Sequence, residues 1–175
     1  MENGLLYTFS TIAQALGGAF ALLSAFALYK FQSLKEMMHR DADMISTIWI
    51  APQNGPIYRR MIANGDYEAV ADLAEHQVNT AVGTSAEGTM PIIWGECCHR
   101  IRANSSIYRN VSSLFKRSAV TTGIVMIGSV AAIPLAYPIH CIMWLACTVL
   151  VIGVGGFALC LFQYWSLIKA AVYDR

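Results

Sequence analysis

Charge is what this chain lacks. Only 13% of its 175 residues are Asp, Glu, Lys or Arg, against 56% hydrophobic. A water-soluble domain of this length carries about a quarter charged residues, because its surface must face water. The deficit is local. Leu5–Tyr29 and Ser118–Ile168 contain no charged residue, and Lys30–Arg117 holds nearly all of them. Charge-free blocks on either side of a polar middle mark an integral membrane protein.

Other absences exclude functions. The net charge is +1, and no Lys/Arg run with interleaved aromatics occurs, so nothing points to nucleic acid. No Asp, Glu, Lys or Arg stands within an apolar block, which argues against proton-coupled transport and voltage sensing. Phosphate-loop, dinucleotide, zinc-protease and serine-hydrolase motifs are missing. Gly153, Gly155 and Gly156 form a GVGG run, but inside an apolar block, where no phosphate loop can sit. The five cysteines form no spaced disulfide framework. A non-enzymatic protein without a cofactor is expected.

What is present sets a topology. Leu5–Tyr29 is 25 residues long, enough as a helix to cross a hydrocarbon core of about 30 Å. It follows an acidic MENG and precedes YKFQSLK, so it reads as a retained helix rather than a cleaved signal. Ser118–Ile168 is 51 residues, or about 75 Å of helix, too long for one crossing. Pro134 and Pro138 flank its tip, and each removes a helical hydrogen bond. A hairpin of two spans, Ser118–Ala136 and Ile139–Trp165, is therefore predicted. Tyr137, His140 and Trp144 stand at its tip, and Tyr164 and Trp165 at its far end, where interfacial aromatics belong.

The expectation is an all-α integral membrane protein with three transmembrane helices. Residues 1–30 hold the first, 31–117 a helical cytoplasmic region, 118–168 the hairpin and 169–175 a tail. All twelve Lys and Arg fall within Lys30–Arg117 or Lys169–Arg175. The positive-inside rule then places those stretches in the cytoplasm and the N-terminus outside, in the cell membrane (the inner membrane, for a bacterium). This layout resembles that of the ion-driven motor subunits of the ExbB and MotA class, and the resemblance implies homo-oligomers.

In the middle region, Phe31, Leu34, Met37, Met38, Ile45, Ile48 and Trp49 recur at three- and four-residue steps. They predict a stalk helix continuing the first span and closed by APQNGP. Ile57–Ala63 reads as a short helix stopped at Asn64-Gly65. Asp66 then caps a helix whose apolar face is Val70, Leu73, Ala74 and Val78. VGTSAEGTMP is a loop before a last helix that leads into the second span. So few large aliphatics predict a region that packs poorly alone.

Functional candidates are few. Gln14, with Ser10, lies in the first span, where an amide is costly unless paired. Gly17, Gly18, Ala21 and Ala25, and Gly153, Gly155 and Gly156, offer small-residue surfaces for close helix pairing. These residues suggest a pore lining or a packing face, and three helices alone make a thin bundle. A homo-oligomeric pore or scaffold component is the leading expectation, with the lipid bilayer and copies of itself as partners. An accessory subunit of a larger membrane complex (respiratory or transport) is the alternative. A third reading is a metal- or haem-dependent membrane enzyme resting on Cys97, Cys98, His99 and His140. Cys97, Cys98, His99 and His140 are the only soft metal ligands worth naming. Adjacent cysteines suit a structural zinc site badly, and haem needs a second axial ligand at matching depth, so packed thiols are expected.

Overall fold

The structure is a computed structural model that describes residues 2–48, 55–81, 90–140 and 143–173. Five helices account for them, α1 (Glu2–Ile48), α2 (Gly55–Asn64), α3 (Tyr67–Ala81), α4 (Met90–His140) and α5 (Met143–Tyr173), with no strand among the described residues. The chain divides into two compact units. Residues 1–28 and 110–175 form the first, and residues 29–109 the second. Among the described residues, two helices are long and apolar enough to cross a membrane. Leu6–Thr47 lies within α1, and Trp144–Val172, of mean hydropathy 2.5, within α5. The expected second span runs past Ile133 into residues whose side chains are not described.

The predicted break at the prolines does not occur. Helix α4 continues through Pro134 and Pro138 to His140, and α5 begins at Met143. The expected spans Ser118–Ala136 and Ile139–Trp165 therefore meet later, across residues 141 and 142, which lie outside the described set. A proline removes only its own N–H and crowds the carbonyl four residues back. With a spacing of four, both defects fall on one side of the helix and the opposite hydrogen bonds persist. Within an apolar bundle such helices continue across proline.

In the first unit, the buried side chains fall into one stripe per helix. On α1 they are Phe9, Ile12, Leu16, Leu23 and Ala27. On α4 they are Val111, Ser118, Thr122, Ser129 and Ala132, and on α5 Cys160, Tyr164, Leu167 and Ala171. Steps of three, four and seven place each set on a single helix face. The contacts fix the register. Phe9 packs with Ala132, and Phe20 stacks on Phe115 with centroids 5.9 Å apart and lies 6.5 Å from Tyr164. Helix α4 thus runs antiparallel to α1, while α5 runs parallel to it.

The second unit is built from the remaining turns of α1 and α4 with α2 and α3. Pro56 suits the first turn of α2, where its missing N–H costs nothing. Gly65 ends that helix at φ 76°. Its N–H donates to the Ile62 carbonyl at 3.0 Å, and the Asp66 N–H donates to the Met61 carbonyl at 2.9 Å. This paired closure needs a residue that tolerates the left-handed region. Asp66 stands at the N-cap position of α3, its carbonyl accepting from the Val70 N–H at 3.2 Å.

This unit does hold its own core, against the expectation of poor packing. Trp94, Tyr58, Ile45, Ile101, Val70, Cys97, Cys98, Ala42, Ala71 and Ala74 are buried together, with Met61, Ile62, Tyr67 and Leu73 against them. Aromatic and sulfur side chains supply the volume that leucine supplies elsewhere. Met37 of the expected stalk stripe is exposed. Val78 and Ile48 carry no described side chain. Trp49, residues 51–54 of the expected turn and residues 82–89 of the expected loop lie outside the described residues.

Candidate functional site

In the first unit, α4 is inverted in polarity. On α4, the inward Ser118, Thr122 and Ser129 are 1%, 1% and 3% exposed, while Val120, Ile124 and Ile127 on the outer side are 63%, 66% and 72% exposed. On α5, Trp144, Val151, Ile152, Phe162 and Trp165 are also exposed. Only 6% of the most apolar window of α5 is buried. A core helix of a water-soluble protein would be mostly covered.

Several hydroxyls in these helices are satisfied locally. Thr8 donates to the Gly4 carbonyl at 2.8 Å, Ser24 to Phe20 at 2.7 Å, Thr121 to Arg117 at 3.0 Å and Thr148 to Trp144 at 3.0 Å. Each bond joins a hydroxyl to the preceding turn, which leaves the helix surface effectively apolar. Thr122 differs, because its hydroxyl meets that of Tyr164 at 2.7 Å across the bundle. Gln163 buries its Oε1 with no partner among the described residues.

The glycines fall into two groups. A Cβ at Gly153 would lie 2.8 Å from Phe9 Cε1, and one at Gly156 would lie 3.1 Å from Val125 Cγ2. Gly17 has Met126 Cε at 3.5 Å from its Cβ position. These three sit where helices of the same chain approach. Gly18 and Gly155 have nothing within 4 Å.

Gln14 and Ala21 are exposed, and Ser10 is half-buried. Taken with its neighbours, Gln14 belongs to a continuous outer row on α1: Tyr7, Thr11, Gln14, Gly18, Ala21, Ala25 and Leu28, every one exposed. The steps alternate between four and three, as in a helix-pairing seam. Sequence spacing grouped Gly17 with Ala21 and Ala25. Gly17 instead turns inward, and Gly18 takes its place in the outer row. Gln14 makes no hydrogen bond among the described residues.

In the second unit, Cys97 and Cys98 are buried and His99 is exposed. The Cys97 thiol meets Met44 Sδ at 3.7 Å and accepts from Arg100 Nη2 at 3.2 Å, and Cys98 donates to the Ala71 carbonyl at 3.6 Å. Burial pushes the Cys98 thiol up to about 11, with Glu75 adding to the rise. Burial also raises Cys97, while the Arg100 charge opposes it. Among the described residues, no three His, Cys, Asp or Glu side chains converge as a metal site. The His140 side chain lies outside the described set.

Ion pairs, missed by sequence reasoning, tie the second unit together. Arg100 donates to Asp41 at 2.9 Å, joining α4 to α1. Arg102 bridges Asp72, at 2.8 Å, and Glu75 on α3. Glu68 accepts from Ser105 at 2.6 Å and from Arg109. Lys35 Nζ lies 5.9 Å from the centre of the Tyr108 ring, within cation–π range. Clefts beside these pairs, one lined by Glu75, Cys98, His99 and Arg102, hold charges already neutralised by one another.

No family model matches the chain, and no curated protein or solved structure is significantly similar to it.

Proposed function

We propose that this chain is an integral membrane protein that assembles with copies of itself and acts as a scaffold or pore-type component rather than as an enzyme. The first unit is its membrane part, with α1, α4 and α5 each crossing once. The second unit and the C-terminus lie in the cytoplasm, and the N-terminus lies outside. The inverted polarity of α4 and the exposed apolar surface of α5 support the membrane assignment. Lipid tails accept exposed valine and isoleucine at no cost, whereas water does not. The absence of Lys and Arg from residues 1–29 and 118–168 supports the orientation.

One observation carries the self-association. The outer row on α1 is a continuous stretch where the exposed surface of the bundle turns small and polar, through Thr11, Gln14, Gly18, Ala21 and Ala25. An amide left in hydrocarbon costs several kcal/mol, and a matching Gln14 of a second copy relieves that cost while Gly18 lets the backbones approach. A cluster of such helices around an axis puts Gln14 on a pore lining. A pair of them makes a scaffold.

The native mass of the protein in mild detergent tests this. A discrete homo-oligomer is expected, with Gly18→Leu shifting it to monomer and Gly123→Leu, on an open face of α4, leaving it unchanged. A monomeric mass with no conductance in planar bilayers overturns the reading. A stoichiometric foreign subunit on the same α1 row supports the alternative, an accessory subunit of a larger membrane complex.

A further inference from the structure

The apolar surface of the first unit ends in a rim of cations that nothing among its described residues neutralises. Lys116 and Arg117 on α4 and Lys169 on α5 are exposed, and none forms an ion pair among the described residues. The helix register brings them to one end. Thr122 meets Tyr164, and Gly156 lies against Val125. Following the antiparallel pairing down from Thr122–Tyr164 sets Lys169 within about one turn of the level of Lys116.

Acids are few in this unit. Residues 110–173 contain no Asp or Glu, Asp174 lies in the tail outside the described residues, and the only acid among residues 1–28 is Glu2. Phe9 packs with Ala132, and Phe20 with Phe115. Glu2 therefore lies at the opposite end, about 35 Å from the rim at 1.5 Å per residue, beyond the reach of a screened charge. Exposed Val120 and Ile124 lie just beyond Arg117 on α4, and exposed Trp165 and Ile168 precede Lys169 on α5. Apolar surface that passes abruptly into unpaired cations has the chemistry of a lipid molecule, tail beside headgroup.

Resting on the membrane reading above, we propose that Lys116, Arg117 and Lys169 form a binding rim for anionic phospholipid headgroups. The protein selects anionic over zwitterionic lipid through it. Each cation near a headgroup layer strengthens binding about fivefold, so all three together give roughly a hundredfold preference at low salt. The preference falls as salt rises, because the rim is exposed.

The experiment counts bound lipid by native mass spectrometry on the full-length protein in mild detergent, titrated with phosphatidylglycerol or phosphatidylcholine. Wild type is expected to prefer phosphatidylglycerol at least tenfold. The variant Lys116→Gln/Arg117→Gln/Lys169→Gln loses that preference, and the arginine variant Lys116→Arg/Lys169→Arg keeps it. Arg59→Gln/Arg60→Gln, which removes two exposed cations of the second unit, also keeps it. Equal affinity of wild type for both lipids overturns the proposal, as does a preference that survives the triple substitution. Competition by inorganic phosphate at the same concentration as lipid overturns it too, by revealing a free-anion site. Alkaline extraction of membranes separates the two levels of failure. Release of wild type from the membrane sinks the membrane reading itself, whereas retention without lipid preference sinks only the rim.

Discussion

Gly153→Ala adds one methyl group at a place where the bundle has no room. The new Cβ would lie 2.8 Å from Phe9 Cε1, with Cδ1 at 3.6 Å and Cζ at 3.7 Å. Carbon atoms in contact settle at about 3.5–4.0 Å, so the nearest pair falls short by roughly 1 Å. Phe9 is buried among Ala132, Leu6, Ile133, Ala146 and Val149, and its ring is rigid, so relief requires the helices to part. Overpacking of this kind costs about 1–3 kcal/mol. The same substitution gains up to about 1 kcal/mol in helix propensity, which leaves a net loss of roughly 0.5–2 kcal/mol. Gly155→Ala is the control, because nothing lies within 4 Å of its Cβ position and only the propensity gain remains. The two variants share chemistry and helix, so their difference isolates the clash at about 1–3 kcal/mol. Thermal unfolding in detergent micelles measures it, and combining Gly153→Ala with Phe9→Leu should recover at least half of the loss. Equal stability of the two alanine variants, or strict additivity with Phe9→Leu, refutes the α1–α5 packing described above.

Further outcomes follow from the two cores. Ile101→Ala empties a fully buried position beside Trp94 and should cost about 2–5 kcal/mol, seen as faster hydrogen exchange across α2 and α3. Tyr164→Phe removes the hydroxyl pair with Thr122 and should cost only about 0.6 kcal/mol, the usual worth of such a bond between membrane helices. In the folded second unit Cys98 is raised from 9.0 to about 11 and Tyr58 from 10.0 to about 12, both chiefly by burial. Folding holds these protons more tightly than the open chain does. The associated stability is complete below about pH 9 and drains away as pH climbs through 11 and 12. Alkylation of Cys98 at neutral pH should therefore track unfolding rather than thiol ionisation.

Much of this architecture is legible in the residues. The charge-free blocks, the stop at Asn64-Gly65 and the start of α3 after Asp66 all depend on local chemistry that composition and spacing reveal. Helix α1 continues past Tyr29 because the three- and four-step pattern through Leu34, Met38, Ala42 and Ile45 never breaks. The continuation of α4 across Pro134 and Pro138 was hidden, because proline counts as a breaker in water and as a tolerated defect in an apolar bundle. The direction of each glycine was hidden as well. Gly17 and Gly18 differ only by a rotation of about 100°, which is set by partners elsewhere in the chain. Cys97 and Cys98, expected as packed thiols, fill a core whose few large aliphatics had pointed to poor packing. The pairs of Arg100 with Asp41, Arg102 with Asp72 and Glu75, and Arg109 with Glu68 join residues 27 to 59 positions apart, beyond any local pattern.

The central claim is that α4 and α5 turn apolar side chains to lipid while α4 keeps Ser118, Thr122 and Ser129 inside. Photolabelling with a carbene probe confined to the bilayer, mapped residue by residue by mass spectrometry, tests this most directly. The account predicts strong labelling at Val120, Ile124, Ile127, Val151, Ile152 and Phe162, and protection at Ser118, Thr122, Ser129 and Tyr164. Uniform labelling around α4, or none on α4 and α5 while a water-borne probe reaches Ile124 and Phe162, would contradict it.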